Sequence, residues 1–396
     1  MTSLQKKSLD SFRVLQVIPA LAGGGAEEET ILIAQALKRN GGYPLVASQG
    51  GGLVGFLEKE GIPHFSLPVA SKNPFQILKN ARRLELLVKA HKVDLIHVRS
   101  RAPAWSVALC AKRAGIPWIT TYHAAYGGGW FLKDLYNSGM ARGEKVITIS
   151  GYVDGHLRKT YEKASWFNPE KVRLIHRGIN LETSMPGTVS EGEKEALRCE
   201  LNLPKGASVL MLPGRFSRIK GHDLLLRAFA LLRQQGRSQV FLLFVGETSN
   251  PNDGAYRLEL QKLAKELGVT SGTRFLPYRH DMPNFYALAD VVVVPSRFPE
   301  GFGRVIAEAC AFEKCVVVSR HGAAPEIVLE GETGFLAEPH NIADLAKVLD
   351  KVLSLSEEEA RRFQKNARNH VARLFSQQQF QEKTLDVYRE IFMPLA

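Results

Sequence analysis

The sequence has little cysteine and no long hydrophobic run, and both absences narrow the class of protein. The apolar runs, such as Val291 to Val294, are strand-sized, whereas a membrane-spanning helix needs about 20 residues. Arg13 and Gln16 interrupt the first apolar run, so the start is a poor signal peptide. No CxxC pair or zinc-ligand spacing occurs, which indicates reduced thiols in a cytoplasmic protein. The four cysteines are Cys110, Cys199, Cys310 and Cys315.

Several motifs of phosphate chemistry, hydrolysis and nucleic-acid binding are also absent. No Asp-x-Asp pair is present to chelate a metal, and neither a G-x-x-x-x-G-K-[ST] loop nor a G-x-S-x-G elbow occurs. We find no helix-turn-helix, zinc-finger or RNA-binding signature, so we expect no nucleic-acid partner. If the protein binds a diphosphate, cationic side chains and a helix terminus must therefore replace a metal.

Acidic residues are scarce in the first half of the chain. The formal net charge is +12, and residues 1–170 hold 22 Lys and Arg against 13 Asp and Glu, a net of +9. We expect one face of this half to meet something anionic, such as a membrane surface. A generically basic, solubilising surface is the alternative.

At 396 residues the chain is longer than one hydrophobic core usually supports. Short β-rich runs alternate with amphipathic stretches in both halves. We predict an α/β fold with two Rossmann-like, doubly wound parallel sheets facing a cleft. The first domain should span residues 1–183, a linker 184–200 and the second domain 201–375, with a terminal helix at 376–396 packing back on the first domain. The predicted strands are Arg13 to Ile18, Pro44 to Ser48, Leu95 to Val98, Trp118 to Tyr122, Lys145 to Ile149, Val209 to Leu212, Val240 to Val245, Thr273 to Leu276, Val291 to Val294 and Val316 to Val318.

Parallel sheets bind ligands at the carboxyl ends of their strands, and two glycine-rich motifs follow predicted strands in the second half. In the first, Gly214 to Gly221, Arg215 and Lys220 flank a tight loop that can hold an anion. A solvated basic turn is the alternative. In the second, Pro295 to Glu308, Gly301 and Gly303 precede a helix whose free N–H groups suit a diphosphate.

Two glutamates accompany the second motif. Glu308 has apolar neighbours on both sides, so it must either reach a structural donor or bind ligand hydroxyls. Glu300 precedes it in the loop, where a solvated carboxylate is the simpler interpretation.

The first half offers a glycine loop and a histidine. The loop Gly23, Gly24 and Gly25 fails the dinucleotide spacing at Glu28, and its three following acidic residues would repel a pyrophosphate. It reads either as a flexible loop that approaches an acceptor or as a plain β-to-α turn. His123 ends a predicted strand, where a structural and a functional role are equally open.

Taken in order, these motifs resemble the family 4 glycosyltransferases. The resemblance rests on G-R-F-x-x-x-K-G (214–221), the Glu300 and Glu308 pair, Ala-Pro-Glu-Ile-Val (324–328) and Thr-Gly-Phe-Leu (333–336). The Gly-Gly-Gly-Ala-Glu loop and Arg-Gly-Ile-Asn (177–180) extend it over nearly the whole chain. Glu28 and Glu29 depart from the pattern, in which arginine or another polar residue follows Gly-Gly-Ala-Glu.

The resemblance implies a GT-B fold and a retaining sugar transfer from a GDP- or UDP-linked donor. It implies no essential metal and no cofactor, and a glycan or lipid-linked acceptor such as a lipopolysaccharide precursor. The enzyme would be cytoplasmic and peripheral on the inner face of the membrane. A catalytically silent sugar-nucleotide-binding protein, an epimerase or a phosphorylase of the same fold are the alternatives.

The resemblance also assigns roles. Arg215, Lys220, Glu300 and His123 would be the catalytic residues: the two cations hold the diphosphate, Glu300 contacts the sugar hydroxyls and His123 lies near the transferred sugar. Glu308 would hold the ribose, and Gly23 to Gly25 would lie on the acceptor side. The remaining donor-binding residues would be Gly214, Gly301, Phe302, Gly303 and Arg304, with Tyr278 and Arg279 against the base.

Overall fold

The chain forms two compact units in this computed structural model, which describes residues 9–127, 129–248 and 251–392. The first unit comprises the described residues of Met1–Gly178 and Gln378–Ala396, and the second comprises those of Ile179–Gln377. Secondary-structure elements are numbered along the chain.

The first unit is built on a parallel sheet of seven strands in the order β3-β2-β1-β4-β5-β6-β7, counted over the described residues. Its central strands β4 and β5 are buried along their whole length. This burial is typical of a parallel sheet, because helices cover both of its faces. The strands are β1 Arg13–Val17, β2 Tyr43–Ser48, β3 His64–Ser66, β4 Leu95–Val98, β5 Trp118–Tyr122, β6 Lys145–Thr148 and β7 Val172–Leu174. The helices are α1 Gly25–Arg39, α2 Val54–Lys59, α3 Pro74–His91, α4 Arg101–Ala114, α5 Phe131–Ser138, α6 Gly151–Tyr161 and the terminal α15 Gln377–Phe392.

Helix α15 completes the core of the first unit. Phe380, Leu385 and Tyr388 pack with Val14 and Leu95 of the sheet. The Tyr388 hydroxyl also contacts Nδ1 of the buried His97 at 2.8 Å. The terminal helix predicted at 376–396 therefore belongs to this unit, and its residues 393–396 lie outside the described part.

The second unit has a parallel sheet of six strands in the order β10-β9-β8-β11-β12-β13, again over the described residues. Its core joins Leu210, Phe229, Phe244 and Val293 between sheet and helices. The strands are β8 Ser208–Pro213, β9 Val240–Val245, β10 Thr273–Leu276, β11 Val291–Val294, β12 Cys315–Ser319 and β13 Phe335–Ala337. The helices are α7 Glu191–Glu200, α8 His222–Gln234, α9 Pro251–Glu266, α10 Met282–Leu288, α11 Arg304–Ala311, α12 Ala324–Ile327, α13 Ile342–Leu353 and α14 Glu357–Leu374.

Each sheet has one point where the strand order reverses. The chain runs from β1 to β2 on one side and from β4 to β5 on the other, so the loops after β1 and β4 diverge. The loops after β8 and β11 diverge in the same way. Such a reversal leaves a crevice at the carboxyl ends of the strands, which is where open α/β sheets bind ligands.

The ten predicted strands are all present, with ends that differ from the prediction by at most one residue. Within the described ranges, three further strands, β3, β7 and β13, have only three residues each, too few for a periodic signal.

The predicted linker 184–200 differs from the structure. Its second part is helix α7, which belongs to the second unit, and the units divide between Gly178 and Ile179. Ser190 and Glu193 form a capping box at the start of this helix. The acidic run that looked like a linker is therefore a helix start, where the helix dipole favours negative charge.

Two further features concern the described residues alone. All four cysteines are free thiols, three of them buried and Cys199 exposed. No described helix is both long and apolar enough to cross a membrane.

Candidate active site

An ion pair joins the two loops at the strand reversal of the second unit. Lys220 ends a 3-10 turn after β8, and Glu300 lies in the loop after β11. The Lys220 Nζ lies 2.8 Å from Glu300 Oε2, and each side chain is 23% exposed. The Arg297 N–H donates to the Ile219 carbonyl at 2.7 Å and ties the loops together. The adjacency of β8 and β11 thus brings together two residues that are far apart in sequence.

The loop after β12 fixes Glu300 on its other side. The Ser296 hydroxyl donates to Oε1 of Glu300, and His321 Nε2 contacts the Ser296 carbonyl at 2.9 Å. Gly322 has φ +63°, and a Cβ there would lie 2.7 Å from the Glu300 backbone N and O. Ser296, His321 and Gly322 were not predicted as site residues. Ser296 lies in the same motif as Glu300, whereas nothing local in the sequence links His321 and Gly322 to it.

The charge state of Glu300 follows from this setting. Burial alone would raise its pKa, but the Lys220 charge and the hydrogen bonds from Lys220 and Ser296 outweigh it and keep the pKa below its ordinary value. Glu300 is therefore a carboxylate at neutral pH. It can accept hydrogen bonds from hydroxyl groups but cannot donate a proton.

The glycines of the first motif allow the loops to approach closely. Gly221 has φ +71°, and a Cβ there would lie 2.0 Å from the Pro295 carbonyl oxygen. Gly214, at the other side of the motif, directly follows β8 and donates its N–H to the Val245 carbonyl at 2.8 Å. The motif is thus needed for the contact between its own loop and the loop after β11.

Arg215 is placed differently from Lys220. Its side chain is 52% exposed, and its Nε lies 3.8 Å from the Asp253 carboxylate of α9. The guanidinium is therefore a loosely held cation on the same loop as Lys220.

The segment 301–304 starts helix α11. Gly303 has φ +94° and is the N-cap, and Arg304 is the first helical residue. Phe302 is buried and packs on Phe375 at a ring distance of 5.7 Å, so its side chain anchors the loop. Residues 301–303 therefore expose backbone rather than side chains, whereas the Arg304 side chain is 44% exposed.

Glu308 has two structural donors. Its Oε1 accepts from Arg304 Nε at 2.7 Å, and its Oε2 accepts from the Tyr286 hydroxyl at 3.1 Å. Burial first, and then the Glu308 charge, raise the pKa of Tyr286, so the phenol stays protonated and donates. Glu308 therefore has the structural donors that the sequence left open as one of two possibilities. Its side chain is still 23% exposed, so part of the carboxylate is accessible to a ligand. Tyr286 gave no sign of this role in the sequence.

The two residues predicted to lie against a base differ in their surroundings. Arg279 donates to both carboxylate oxygens of Asp281 at 2.8 Å and to Glu200 at 2.6 Å. These hydrogen bonds raise its pKa. Tyr278 is 55% exposed. The exposed aromatic face belongs to Tyr278, whereas the Arg279 guanidinium is held by carboxylates.

The crevice of the first unit contains a buried charge cluster. Glu29 of α1 is 2% exposed, and its Oε1 lies 2.6 Å from Arg177 Nε. Its Oε2 lies 3.7 Å from Arg99 Nη1 and 3.6 Å from Nδ1 of His123, the residue after β5. Arg99 is fully buried and donates its Nε–H to Gln16 at 2.7 Å. Of these residues only His123 was predicted as a site residue.

His123 is a neutral imidazole at physiological pH. Burial lowers its pKa to about 4; the Glu29 charge opposes this effect, and Arg99 and Arg177 reinforce it. A neutral ring has one donor and one acceptor nitrogen.

The glycine loop after β1 is closed by hydrogen bonds. The N–H groups of Gly23 and Gly24 donate to Glu27 Oε2 at 2.6 and 2.9 Å. Gly25 begins α1, and a Cβ there would lie 2.0 Å from Arg177 Nη2. Glu27 therefore caps this β-to-α turn, and Glu29 turns inward to Arg177. The approach of the loop to an acceptor stays a prediction.

One signal in the sequence could have revealed Glu29. It lies on the face of α1 that also buries Thr30, Ile33 and Leu37. A carboxylate on a buried helix face requires a partner, and Arg177 stood in a motif already noted.

Over the described residues, no group of three or more His, Cys, Asp and Glu side chains is arranged as a metal site.

Two family models match the chain, one for each half. The model described as Glycosyltransferase Family 4 matches residues 23–183, and the model described as Glycosyl transferases group 1 matches residues 193–370. A relative named D-inositol 3-phosphate glycosyltransferase, from Saccharomonospora viridis, is 32% identical over 332 residues, which cover 78% of this chain and 72% of that protein.

Solved structures give the same result. A glycosyltransferase from Rickettsia africae is 33% identical with a TM-score of 0.89, covering 97% of this chain and all of that one. Anabaena HepE, solved in complex with UDP, shares the fold at 23% identity and a TM-score of 0.84, covering 96% of this chain and all of that one. The chain therefore belongs to the family 4 glycosyltransferases, which have the GT-B fold.

Proposed function

We propose that this glycosyltransferase moves a sugar from a nucleoside diphosphate donor with retention of configuration and without an essential metal. The observation that carries the proposal is the Lys220–Glu300 pair at the strand reversal of the second unit. A cation beside a fixed carboxylate suits a ligand with an anionic leaving group next to a hydroxylated ring.

The chemistry follows from where charge develops. As the bond between the sugar C1 and the diphosphate oxygen breaks, negative charge grows on that oxygen. Lys220 and the exposed Arg215 stabilise it more in the transition state than in the ground state. The start of α11 adds only about 0.3–1 kcal/mol, so the two cations supply most of the effect.

The acceptor hydroxyl attacks C1 from the same face and forms the new glycosidic bond. Its proton passes to the departing phosphate oxygen, so no side-chain base is required. Glu300, being ionised, holds the hydroxyls of the donor sugar, and Glu308 offers its exposed edge to the ribose. Tyr278 provides an aromatic face for the base.

The donor is a UDP- or GDP-linked sugar in this proposal. The complex of HepE with UDP, a protein of the same fold, supports a nucleotide at such a site. The acceptor is a glycan or a lipid-linked glycan of the cell envelope, of the lipopolysaccharide kind. The name of the Saccharomonospora relative indicates that hydroxyl-rich, phosphorylated acceptors occur among related enzymes.

An exposed apolar surface of the first unit supports an acceptor at a membrane. We define the α3–α5 surface as Phe75 and Leu78 of α3 with Trp130, Phe131, Leu132 and Leu135 in and before α5, all of which are at least 44% exposed. Helix α4 contacts both helices, through Ser106 to Ile77 and through Trp105 to Tyr136. Exposed Lys79, Arg82 and Lys133 lie among these residues. Aromatic and cationic side chains together suit the interface of an anionic membrane.

Replacing Lys220 tests the proposed transfer. We expect Lys220→Ala to lower kcat by on the order of 10²–10³, because one charge-stabilising donor is lost. The assay supplies a panel of UDP- and GDP-linked sugars to the folded enzyme with an envelope extract as acceptor. The products are analysed for anomeric configuration.

The matched control is Arg218→Ala, which removes an exposed cation of the same turn that pairs with Glu259. It should leave kcat within about twofold. Full activity of folded Lys220→Ala would refute the role of the ion pair. An inverted product, or complete loss of activity in a chelator, would refute the retaining or the metal-independent part.

A further inference from the structure

The buried carboxylate of Glu29 has no role in the proposed transfer as described so far. It is 2% exposed, and a charge this deeply buried is costly unless it is paired. Its charge is compensated by two guanidinium groups, with Arg177 Nε 2.6 Å from Oε1 and Arg99 Nη1 3.7 Å from Oε2. These two ion pairs compensate the charge of Glu29, and its Oε2 also faces a third group.

That third group is His123. Glu29 Oε2 lies 3.6 Å from His123 Nδ1, slightly beyond hydrogen-bond distance. Such contacts in sites without ligand are often long and tighten when substrate binds. Within the described residues, His123 Nε2 is buried and lacks a hydrogen-bond partner, although the side chain keeps 15% exposure. An unsatisfied buried nitrogen at the carboxyl end of β5 requires a partner that the protein does not supply.

We infer that Glu29 is the positioning residue of His123. Its Oε2 accepts the Nδ1–H and selects the tautomer in which Nε2 is a hydrogen-bond acceptor for a hydroxyl of the substrate. Arg177 and Arg99 hold the carboxylate in place, and Gly25 leaves the room that Arg177 occupies. The identity of the substrate in this inference rests on the proposed function. The geometry of Glu29 and His123 does not depend on it.

The tautomer of His123 provides a test that needs no substrate. Protein labelled with ¹⁵N in histidine gives different ring-nitrogen shifts for the two neutral tautomers, and the spectrum of His123→Ala assigns the His123 signals. We expect the Nδ1–H tautomer in the wild-type protein and a mixture in Glu29→Gln. A wild-type His123 in the Nε2–H form would overturn the inference, even if Glu29→Gln failed to fold.

The transfer assay supplies a second test. We expect Glu29→Gln to lower kcat by on the order of 10-fold, as loss of an orienting partner does at other sites, and to have little further effect in a His123→Ala background. Glu85→Gln, which breaks the Lys89 ion pair on α3 of the same unit, is the matched control and should leave kcat unchanged. An equal loss in both backgrounds would indicate a purely structural role.

The two failures can be distinguished. If the wild-type protein transfers no sugar from any donor of the panel, the proposed function fails, while the tautomer measurement still decides the role of Glu29. If transfer occurs but the tautomer is unaffected by Glu29→Gln, only the positioning role fails.

Discussion

At the scale of single residues, burial decides the charge of the histidines. His97 and His222 are fully buried, and burial lowers the pKa of both, that of His222 to about 4. His222 lies among the rings of Phe216, Phe244 and Tyr256, at centroid distances of 5.1 to 6.0 Å. The same effect keeps His123 neutral. These groups make the folded protein sensitive to acid, because the unfolded chain binds their protons first.

His222→Gln should reduce this sensitivity in the second unit. The folded pKa of about 4 lies below the ordinary value of 6.5, so His222 costs nothing above about pH 6.5 and lowers stability progressively as the pH falls toward 4. Between pH 7.5 and 5 the cost is about 2 kcal/mol. The free energy of unfolding is measured with denaturant at both pH values. We expect its decrease from pH 7.5 to pH 5 to be about 2 kcal/mol smaller in the variant than in the wild-type protein.

The control is His280→Gln, which replaces an exposed histidine of the same unit. Its stability should follow the wild-type pH dependence. If His222→Gln also followed it, the neutral state of His222 would be refuted.

At the scale of elements, the turns between strands and helices carry the site. Helix α1 begins at Gly25 because Glu27 caps the preceding N–H groups, and this start brings Glu29 one turn later onto the buried face. The 3-10 turn between β8 and α8 ends at Lys220. A substitution at the first residue of α1 is therefore expected to disturb the ion pairs of Glu29 one turn later.

Gly25→Ala tests this link. The new Cβ would overlap the Arg177 guanidinium, which the 2.6 Å contact with Glu29 holds in place. We expect a loss of about 1–3 kcal/mol in the free energy of unfolding and a fall in kcat, since Arg177 must leave Glu29.

Gly155→Ala in α6 is the matched control, because a Cβ there meets no atom within 4 Å. It should raise the stability by about 0.4–1 kcal/mol. Equal effects of the two substitutions on the free energy of unfolding would show that the Arg177 side chain moves aside without loss of stability.

At the scale of the whole molecule, charge and apolar surface coincide in the first half of the sequence. The excess of +9 in residues 1–170 and the α3–α5 surface belong to the same unit. Cations near an anionic membrane contribute about 1 kcal/mol each, and inserted aromatic rings add their apolar area.

Vesicle sedimentation tests the membrane proposal. We expect the protein to sediment with vesicles rich in phosphatidylglycerol, less so at high salt, and weakly with neutral vesicles. The triple change Trp130→Ser/Phe131→Ser/Leu132→Ser should weaken binding by on the order of 10-fold. Leu174→Ser/Leu258→Ser, which removes exposed leucines elsewhere, should not. Equal sedimentation with anionic, neutral and no vesicles would contradict a membrane-bound acceptor.

Much of the fold was predictable from the sequence because local physics dictates it. Runs such as Val291–Val294 are strands wherever they occur in a buried parallel sheet, and the helices between them follow their own periodicity. Helix α7 was missed because an acidic helix start and a linker have the same composition. The motif residues Lys220, Glu300 and His123 could be named because each follows a strand and because the motifs in order resemble those of the family.

What the sequence determined by itself is therefore most of the central strands, the family and the residues that follow those strands. Tertiary structure alone decided which of them meet: Lys220 with Glu300, and Glu29 with Arg177 and His123. The order of strands in a sheet brings distant loops to one crevice, and no local pattern encodes that order. The glutamate that departed from the family pattern is thus held by two arginines and a histidine from three other loops of the same unit.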